Sequence, residues 1–93
     1  VAWPGRIRSG TTMESAHAAD LLPTLAAVAG ADVDRLRLDG IDLTPHLFGD
    51  SPLPRRLFVW ENGATHVVRN GPWKAVGDRD AIRLFNLVAD PEE

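Results

Sequence analysis

The sequence predicts an α+β fold in which a helix packs against a small antiparallel sheet of three or four strands. Apolar residues recur with the 3.6-residue period of a helix through residues 20–29. Short runs of β-branched and aromatic residues, separated by turn residues, occupy residues 57–87. The period changes after the pair Arg55-Arg56, so residues 1–56 are predicted to hold a strand end and helices, and residues 57–93 the sheet.

The first part is predicted to open with the end of an apolar strand at Val1-Ala2-Trp3, followed by a turn at Pro4-Gly5. The helix over residues 20–29 is expected to start at Asp20, whose carboxylate can accept first-turn N–H groups, and to end at Gly30. Its apolar stripe follows the spacing i, i+3, i+4 and i+7 and consists of Leu22, Leu25, Ala26 and Ala29. This stripe is expected to face the core, with Leu25 at its centre.

Two further signals lie between the helix and the sheet. Asp39-Gly40 predicts a tight turn, and Thr44-Pro45 predicts a short helix that stops at Gly49, with Thr44 as its N-cap. The strands are predicted near residues 57–60, 66–69, 74–76 and 83–87. Asn-Gly and Gly-Asp pairs between these runs are typical of an antiparallel meander.

Composition limits the classes of function. The chain has 93 residues, enough for one small domain, and a net charge of −3, which argues against an electrostatic nucleic-acid footprint. It has no cysteine, so disulfides, thiolate metal sites and a Cys nucleophile are excluded within these residues. No apolar run reaches the 18 residues or more of a membrane span. The sequence leaves the cellular compartment undetermined.

Five groups of residues, in this order and at similar spacings, resemble the C-terminal third of a sulfatase. They are Trp3-Pro4-Gly5 with Ile7 and Gly10; His17 with residues 20–25; Asp39-Gly40 with Leu43, Pro45, Leu47 and Gly49; Arg69, Gly71, Trp73 and Lys74; and Leu84, Asn86, Leu87 with Asp90-Pro91-Glu92. The resemblance implies a C-terminal piece of an alkaline-phosphatase-like fold. It also implies a parent protein that hydrolyses sulfate monoesters and holds the catalytic domain upstream.

The resemblance implies that the catalytic groups lie outside these 93 residues. Sulfatases use a formylglycine nucleophile, made from a Cys/Ser-x-Pro-x-Arg motif, and a calcium ion held mostly by upstream Asp and Asn residues. Ser9, Ser15 and Ser51 do not open such a motif. No catalytic, cofactor-binding or metal-binding residue is therefore assigned, and the isolated fragment is predicted to be inactive.

Other polar residues are better explained by local structure. His17, His46 and His66 lie too far apart in sequence for a paired metal motif and are expected to cap or to lie on the surface. The carboxylates of Asp39, Asp42 and Asp50 do not follow the spacing of a calcium-binding loop. Turn and cap chemistry is the expected role of all three.

The best candidates for substrate contact surround the first predicted hairpin. They are Trp60, Glu61, Asn62 and His66. Loops on a rigid sheet are where binding residues gather, and the resemblance implies that this subdomain abuts the active-site mouth. These four residues are therefore predicted to form part of the substrate rim, with packing for Trp60 and turn chemistry for Asn62 as the alternative.

Two other functions stay open on the sequence. The parent protein could be a phosphonate monoester hydrolase or phosphodiesterase of the same superfamily, or the chain could be an autonomous interaction module without a catalytic parent. A piece severed from a larger protein is expected to expose apolar faces and to dimerise through them, near Val1 in particular. The sequence does not say which sulfate ester is the substrate.

Overall fold

All 93 residues are described by the computed structural model, which divides into two units, Val1–Leu53 and Pro54–Glu93. The first unit holds two helices, α1 (Leu21–Ala29) and α2 (Thr44–Gly49), with a 3₁₀ turn at Ala18–Asp20 before α1. The second unit holds a four-stranded sheet. No helix in the chain is both long enough and apolar enough to span a membrane.

The start of the chain differs from the prediction. Residues 1–3 form no strand, and the Trp3 carbonyl instead accepts the N–H groups of Arg6 and Ile7 at 3.0 and 2.9 Å. A strand at residues 1–3 would need a neighbouring strand to hydrogen-bond its backbone groups, whereas the turn bonds the Trp3 carbonyl within the same segment. The Trp3 ring packs edge-on against Phe48, with 5.8 Å between centroids, and the Arg6 guanidinium lies over both rings.

Helix α1 confirms the predicted helix and its C-terminal cap, because Gly30 adopts φ 68° and donates its N–H to the last turn. The predicted burial of its apolar stripe is correct for Ala26 and wrong for Leu22, Leu25 and Ala29. Leu22 and Leu25 are 54% and 63% exposed, whereas the buried positions are Pro23, Thr24 and Ala26. Small and polar residues occupy the packed side because the segment after α1 returns there and bonds to Thr24.

Helix α2 also lies where Thr44-Pro45 and Gly49 predict it. The capping group is Asp42 rather than Thr44, since the Asp42 carboxylate accepts both the N–H and the hydroxyl of Thr44 at 2.8 Å. Asp50 ends the helix in the left-handed region, with φ 54°.

The sheet confirms the predicted antiparallel meander. Its strands are β1 (Leu57–Asn62), β2 (Thr65–Asn70), β3 (Trp73–Gly77) and β4 (Ile82–Asn86), hydrogen-bonded in the order β1-β2-β3-β4. Gly63 and Gly71 take φ 60° and 57° at the first position of two-residue turns, as type II′ hairpins require. The α+β class is confirmed, and the packing of the helix against the sheet stays a prediction.

The pairing register gives the sheet two chemically different faces. What we call the apolar face carries Leu57, Val59, Val68, Trp73, Ala75, Ile82 and Leu84. What we call the mixed face carries Phe58, Trp60, Val67, Arg69, Lys74, Val76, Arg83 and Phe85. Directly paired residues point to the same side, so each set is continuous across all four strands.

Candidate functional site

The four predicted rim residues lie at the β1–β2 hairpin. Trp60, Glu61 and Asn62 end β1, and His66 lies near the start of β2. Glu61 pairs directly with His66, so their side chains share one side of the sheet. Trp60 and Asn62 point to the opposite side, because successive residues of a strand alternate. The structure therefore places Glu61 beside His66 on one face of the sheet, and Trp60 and Asn62 on the other face.

Glu61 and His66 are in contact at the hairpin end of the apolar face. The distance from the Glu61 Oε1 atom to the His66 Nδ1 atom is 3.4 Å, and both side chains are more than half exposed. A carboxylate at this distance orients the imidazole ring. The pair contributes little to stability at this exposure.

Trp60 lies on the mixed face and has a packing role. Its ring stacks on Phe58 with 5.8 Å between centroids and an interplanar angle of 15°. The Arg56 guanidinium lies 4.9 Å from the centre of the Phe58 ring. The Arg56 guanidinium and the rings of Phe58 and Trp60 thus form a row along β1. This stacking restrains the Trp60 ring, although 40% of Trp60 remains exposed.

The histidines of the first unit serve local structure. His17 caps the 3₁₀ turn by accepting the Ala19 N–H at Nδ1, at 3.1 Å, which is the predicted capping role. His46 bonds through Nδ1 to the Ser51 carbonyl at 2.8 Å and through Nε2 to the Thr12 hydroxyl at 3.0 Å. His46 therefore ties the segment before α1 to the end of α2.

The carboxylates do not form a calcium site. Asp42 caps α2, and Asp50 pairs with Arg8 on the surface. No group of three or more His, Asp or Glu side chains is arranged to hold a metal ion. An open cleft of about 450 Å³ beside the end of α1 has Asp32, Asp34 and Asp42 in its lining, but these carboxylates do not converge there.

Asp78 occupies the turn between β3 and β4. Its carboxylate accepts the backbone N–H groups of Asp80 and Ala81, each at 3.0 Å. These two bonds hold the pKa of the Asp78 carboxyl below its usual value, because they favour the ionised form. Asp78 is solvent-exposed, and its role is to close this turn.

Sequence reasoning missed a buried polar cluster that joins two of the five recognised groups of residues. Asp20 is fully buried, and its carboxylate accepts the N–H groups of His17 at 2.8 Å and Ile41 at 2.9 Å. Thr24 donates its hydroxyl hydrogen to the Asp20 carbonyl at 2.6 Å and accepts the Leu43 N–H at 3.0 Å. We call this set, with Gly40, the buried node.

The buried node corrects two predictions. The Asp20 carboxylate does not cap α1 with a side-chain bond, since it binds residues before and far after the helix. Asp39-Gly40 forms a bend rather than the predicted tight turn, and Gly40 is needed there for close packing, because a Cβ atom would lie 2.0 Å from the Ala19 carbonyl oxygen. Both Asp20 and Asp39-Gly40 were recognised in the sequence, but local cap and turn chemistry explained each of them.

Comparisons with known proteins agree with the motif pattern. No family model matches the chain. The chain is 47% identical to arylsulfatase A of Bos taurus and to arylsulfatase A of Homo sapiens, in each case over 95 residues and 96% of the chain. It spans 19% of the length of each of these relatives. The predicted resemblance to sulfatases is confirmed over nearly the whole chain.

Proposed function

We propose that this sulfatase-like chain is part of a parent protein that hydrolyses sulfate monoesters to an alcohol and sulfate. The observation that carries the proposal is the 47% identity to two arylsulfatases A over 96% of the chain. Five separated motifs contribute to the same resemblance. The chain spans a fifth of those relatives, so activity is proposed for the parent protein and not for these residues alone.

The chemical step is assigned to the part of the parent outside this chain. The 93 residues contain no cysteine and no Cys/Ser-x-Pro-x-Arg motif, from which a formylglycine would be made. They also hold no cluster of three metal-ligating side chains, so they do not fit a calcium site. A sulfatase needs a nucleophile and a cation that offsets charge on the sulfate oxygens. We propose that the parent supplies both.

The role we propose for this chain is to support one side of the substrate mouth. The β1–β2 hairpin is a two-residue turn on a four-stranded sheet, which holds its side chains in defined positions. Glu61 and His66 share one side of that hairpin and contact each other. We propose that this pair, rather than Trp60 and Asn62, contacts the leaving-group side of the substrate, because Trp60 is stacked on Phe58.

The division of labour is tested with the parent protein and the 93-residue chain, each supplied with calcium and an aryl sulfate. We expect turnover by the parent only. Turnover by the chain alone would refute the assignment of the chemistry to other residues of the parent.

The rim assignment is tested by kinetics of parent variants. Replacing His66 by Gln, or Glu61 by Gln, is expected to raise KM several-fold with little change in kcat, because contacts remote from the reacting bond bind substrate and transition state alike. Asn62→Ala is the matched control on the other side of the same hairpin and should leave KM unchanged. An unchanged KM in both rim variants would contradict the assignment.

A further inference from the structure

We propose that Asn62, at the end of β1, is a site of spontaneous deamidation, and that Asn70, at the end of β2, is protected from the same reaction. Each of these residues is followed by a glycine, Gly63 or Gly71. In both hairpins the Asn ends a strand and the Gly opens a two-residue turn, with φ 60° and 57°. The two sites therefore share the reactive dipeptide and the turn type, and their surroundings decide which one reacts.

The reaction uses only the hairpin and water. The Gly63 backbone nitrogen attacks the Cγ atom of Asn62 and loses its proton, while the bond from Cγ to Nδ2 breaks and ammonia leaves. Water then opens the five-membered succinimide at either carbonyl, which gives aspartate or isoaspartate. Asn is among the thermolabile residues, and Gly63 has no Cβ atom to hinder its nitrogen. No oxidant, reductant or enzyme is needed, so the reaction is independent of the activity of the parent.

The folded hairpin holds Asn62 away from the reactive geometry. Asn62 is extended in β1 and pairs with Thr65. Ring closure requires a rotation about the Cα–C bond of Asn62 that brings the Gly63 nitrogen beside its side chain, whereas an extended residue keeps ψ near about +135°. The closing pair of the hairpin must open for this rotation. The rate of deamidation therefore follows the local opening of each hairpin.

The first hairpin has fewer restraints on its opening. Strand β1 lies at the edge of the four-stranded sheet, so only β2 is hydrogen-bonded to it. No backbone hydrogen bond outside the strand ladder involves Gly63 or Ala64. Asn62 and Gly63 are both exposed, so water reaches the succinimide once it has formed. Opening of this hairpin breaks little beyond its own closing pair.

The second hairpin is held from two further directions. It joins β2 to β3, which are the two central strands of the sheet. The Gly71 carbonyl accepts the Nε–H group of Arg69 at 3.3 Å. The Pro72 carbonyl accepts the backbone N–H of Leu87, beyond β4, at 2.8 Å. Opening at Asn70 disturbs these bonds as well, so Asn70 should react more slowly than Asn62.

The products change the end of β1. Either product places a new negative charge next to Glu61. Isoaspartate also lengthens the backbone by one atom between the Glu61–His66 pair and the turn, which removes the register of the pair that closes the hairpin. The 3.4 Å contact between Glu61 and His66 is therefore expected to be lost in the isoaspartate form.

The site is tested by incubating the parent protein at mildly alkaline pH in water enriched in heavy oxygen, folded and in urea. The label marks newly formed carboxyl groups, which mass spectrometry of peptides quantifies at both sites. Each rate is divided by the rate of the same site in urea, which removes the effect of neighbouring sequence. We expect the corrected rate at Asn62 to exceed that at Asn70 by at least about fivefold, the factor that one net hydrogen bond gives an opening equilibrium. A smaller ratio, or no reaction at Asn62 in the folded protein, would overturn the proposal.

Two variants and one exchange measurement give independent readouts. Asn62→Gln should abolish labelling in the first hairpin, because its longer side chain does not form the five-membered ring, and Asn70→Gln is the matched control that should leave Asn62 labelling unchanged. Labelling that persists in the first hairpin of Asn62→Gln would overturn the assignment. Thr65 and Trp73 pair with the two asparagines, so hydrogen exchange at their amides reports opening of the two hairpins. After correction for intrinsic rates, exchange at Thr65 should be the faster, and slower exchange there would refute the difference in restraint.

Discussion

Replacing Gly40 by Ala should unfold the first unit more effectively than any other single methyl addition at a glycine in that unit. The added Cβ would lie 2.0 Å from the Ala19 carbonyl oxygen, 2.4 Å from its carbon and 2.8 Å from the Asp20 nitrogen. All three are backbone atoms at the start of α1, so no side-chain rotation relieves the overlap. The segment carrying Ile41 must move away, which breaks the 2.9 Å bond from its N–H to the buried Asp20 carboxylate.

The cost follows from these two effects. Overpacking costs about 1–3 kcal/mol, and leaving a buried hydrogen-bonding group unsatisfied about 1–3 kcal/mol, so Gly40→Ala should destabilise by roughly 2–6 kcal/mol. That is a large part of the stability of about 5–15 kcal/mol typical of a domain. The assay is urea unfolding, together with hydrogen exchange of the Ile41 amide.

Gly10→Ala is the matched control, because nothing lies within 4 Å of its Cβ position and its φ is not left-handed. We expect that control to change stability by less than about 1 kcal/mol. A loss of under about 1 kcal/mol for Gly40→Ala, with an unchanged exchange rate at Ile41, would refute the close approach and the buried node.

Three further outcomes are expected. Thr24→Val keeps the shape of the side chain but removes the acceptor of the Leu43 N–H, so the free energy of unfolding in urea should fall by about 1–3 kcal/mol. Thr24→Ser keeps the hydroxyl and should lower that free energy less. Equal losses in the two variants would contradict the role of the hydroxyl. Leu25→Ala, at a site 63% exposed, should cost the isolated chain under about 0.5 kcal/mol in the same assay, and a loss above 2 kcal/mol would restore the predicted core position. The hydrogen bonds from the turn lower the pKa of the Asp78 carboxyl in the folded state. The ionised carboxylate therefore stabilises the β3–β4 turn fully above the unfolded pKa of about 4. This stabilisation is lost as the pH falls through the lower pKa of the folded state. NMR titration should show the turn amides shifting below pH 4, and Asp78→Ala should abolish that titration; an unperturbed midpoint would contradict the bonds.

The elements themselves were predictable from local sequence signals. The period of residues 20–29, the cap at Gly30 and the hairpins marked by Gly63 and Gly71 each depend on a few neighbouring residues, and all appear in the structure. Burial was not predictable in the same way. Leu25 belongs to an apolar stripe, but whether a stripe is covered depends on what packs against it, and in this chain the Leu25 side chain stays exposed.

The buried node shows a second limit. The sequence predicts that Asp20 caps the helix and that Asp39-Gly40 forms a turn, because each of these roles depends only on adjacent residues. The structure joins them over 21 positions through the bond from Ile41 to Asp20. Contacts of that sequence separation have no local signature, so the sequence did not predict them.

The rim prediction illustrates a third limit, which is register. The turn was expected at Asn62-Gly63, but the structure makes Gly63 the first turn residue, so Asn62 remains in β1. A shift of one residue would have paired His66 with Val59 instead of Glu61. The hairpin was therefore predictable from the sequence, and the contact between Glu61 and His66 was not.

The most direct test of the central claim is the ratio of kcat/KM for an aryl sulfate to kcat/KM for the corresponding aryl phosphonate monoester, measured on the parent protein with calcium. Because discrimination between substrates is differential transition-state binding, a sulfatase should favour the sulfate by at least about a hundredfold. A preference for the phosphonate ester, or no turnover of the sulfate, would contradict the proposed function and favour the phosphonate hydrolase instead.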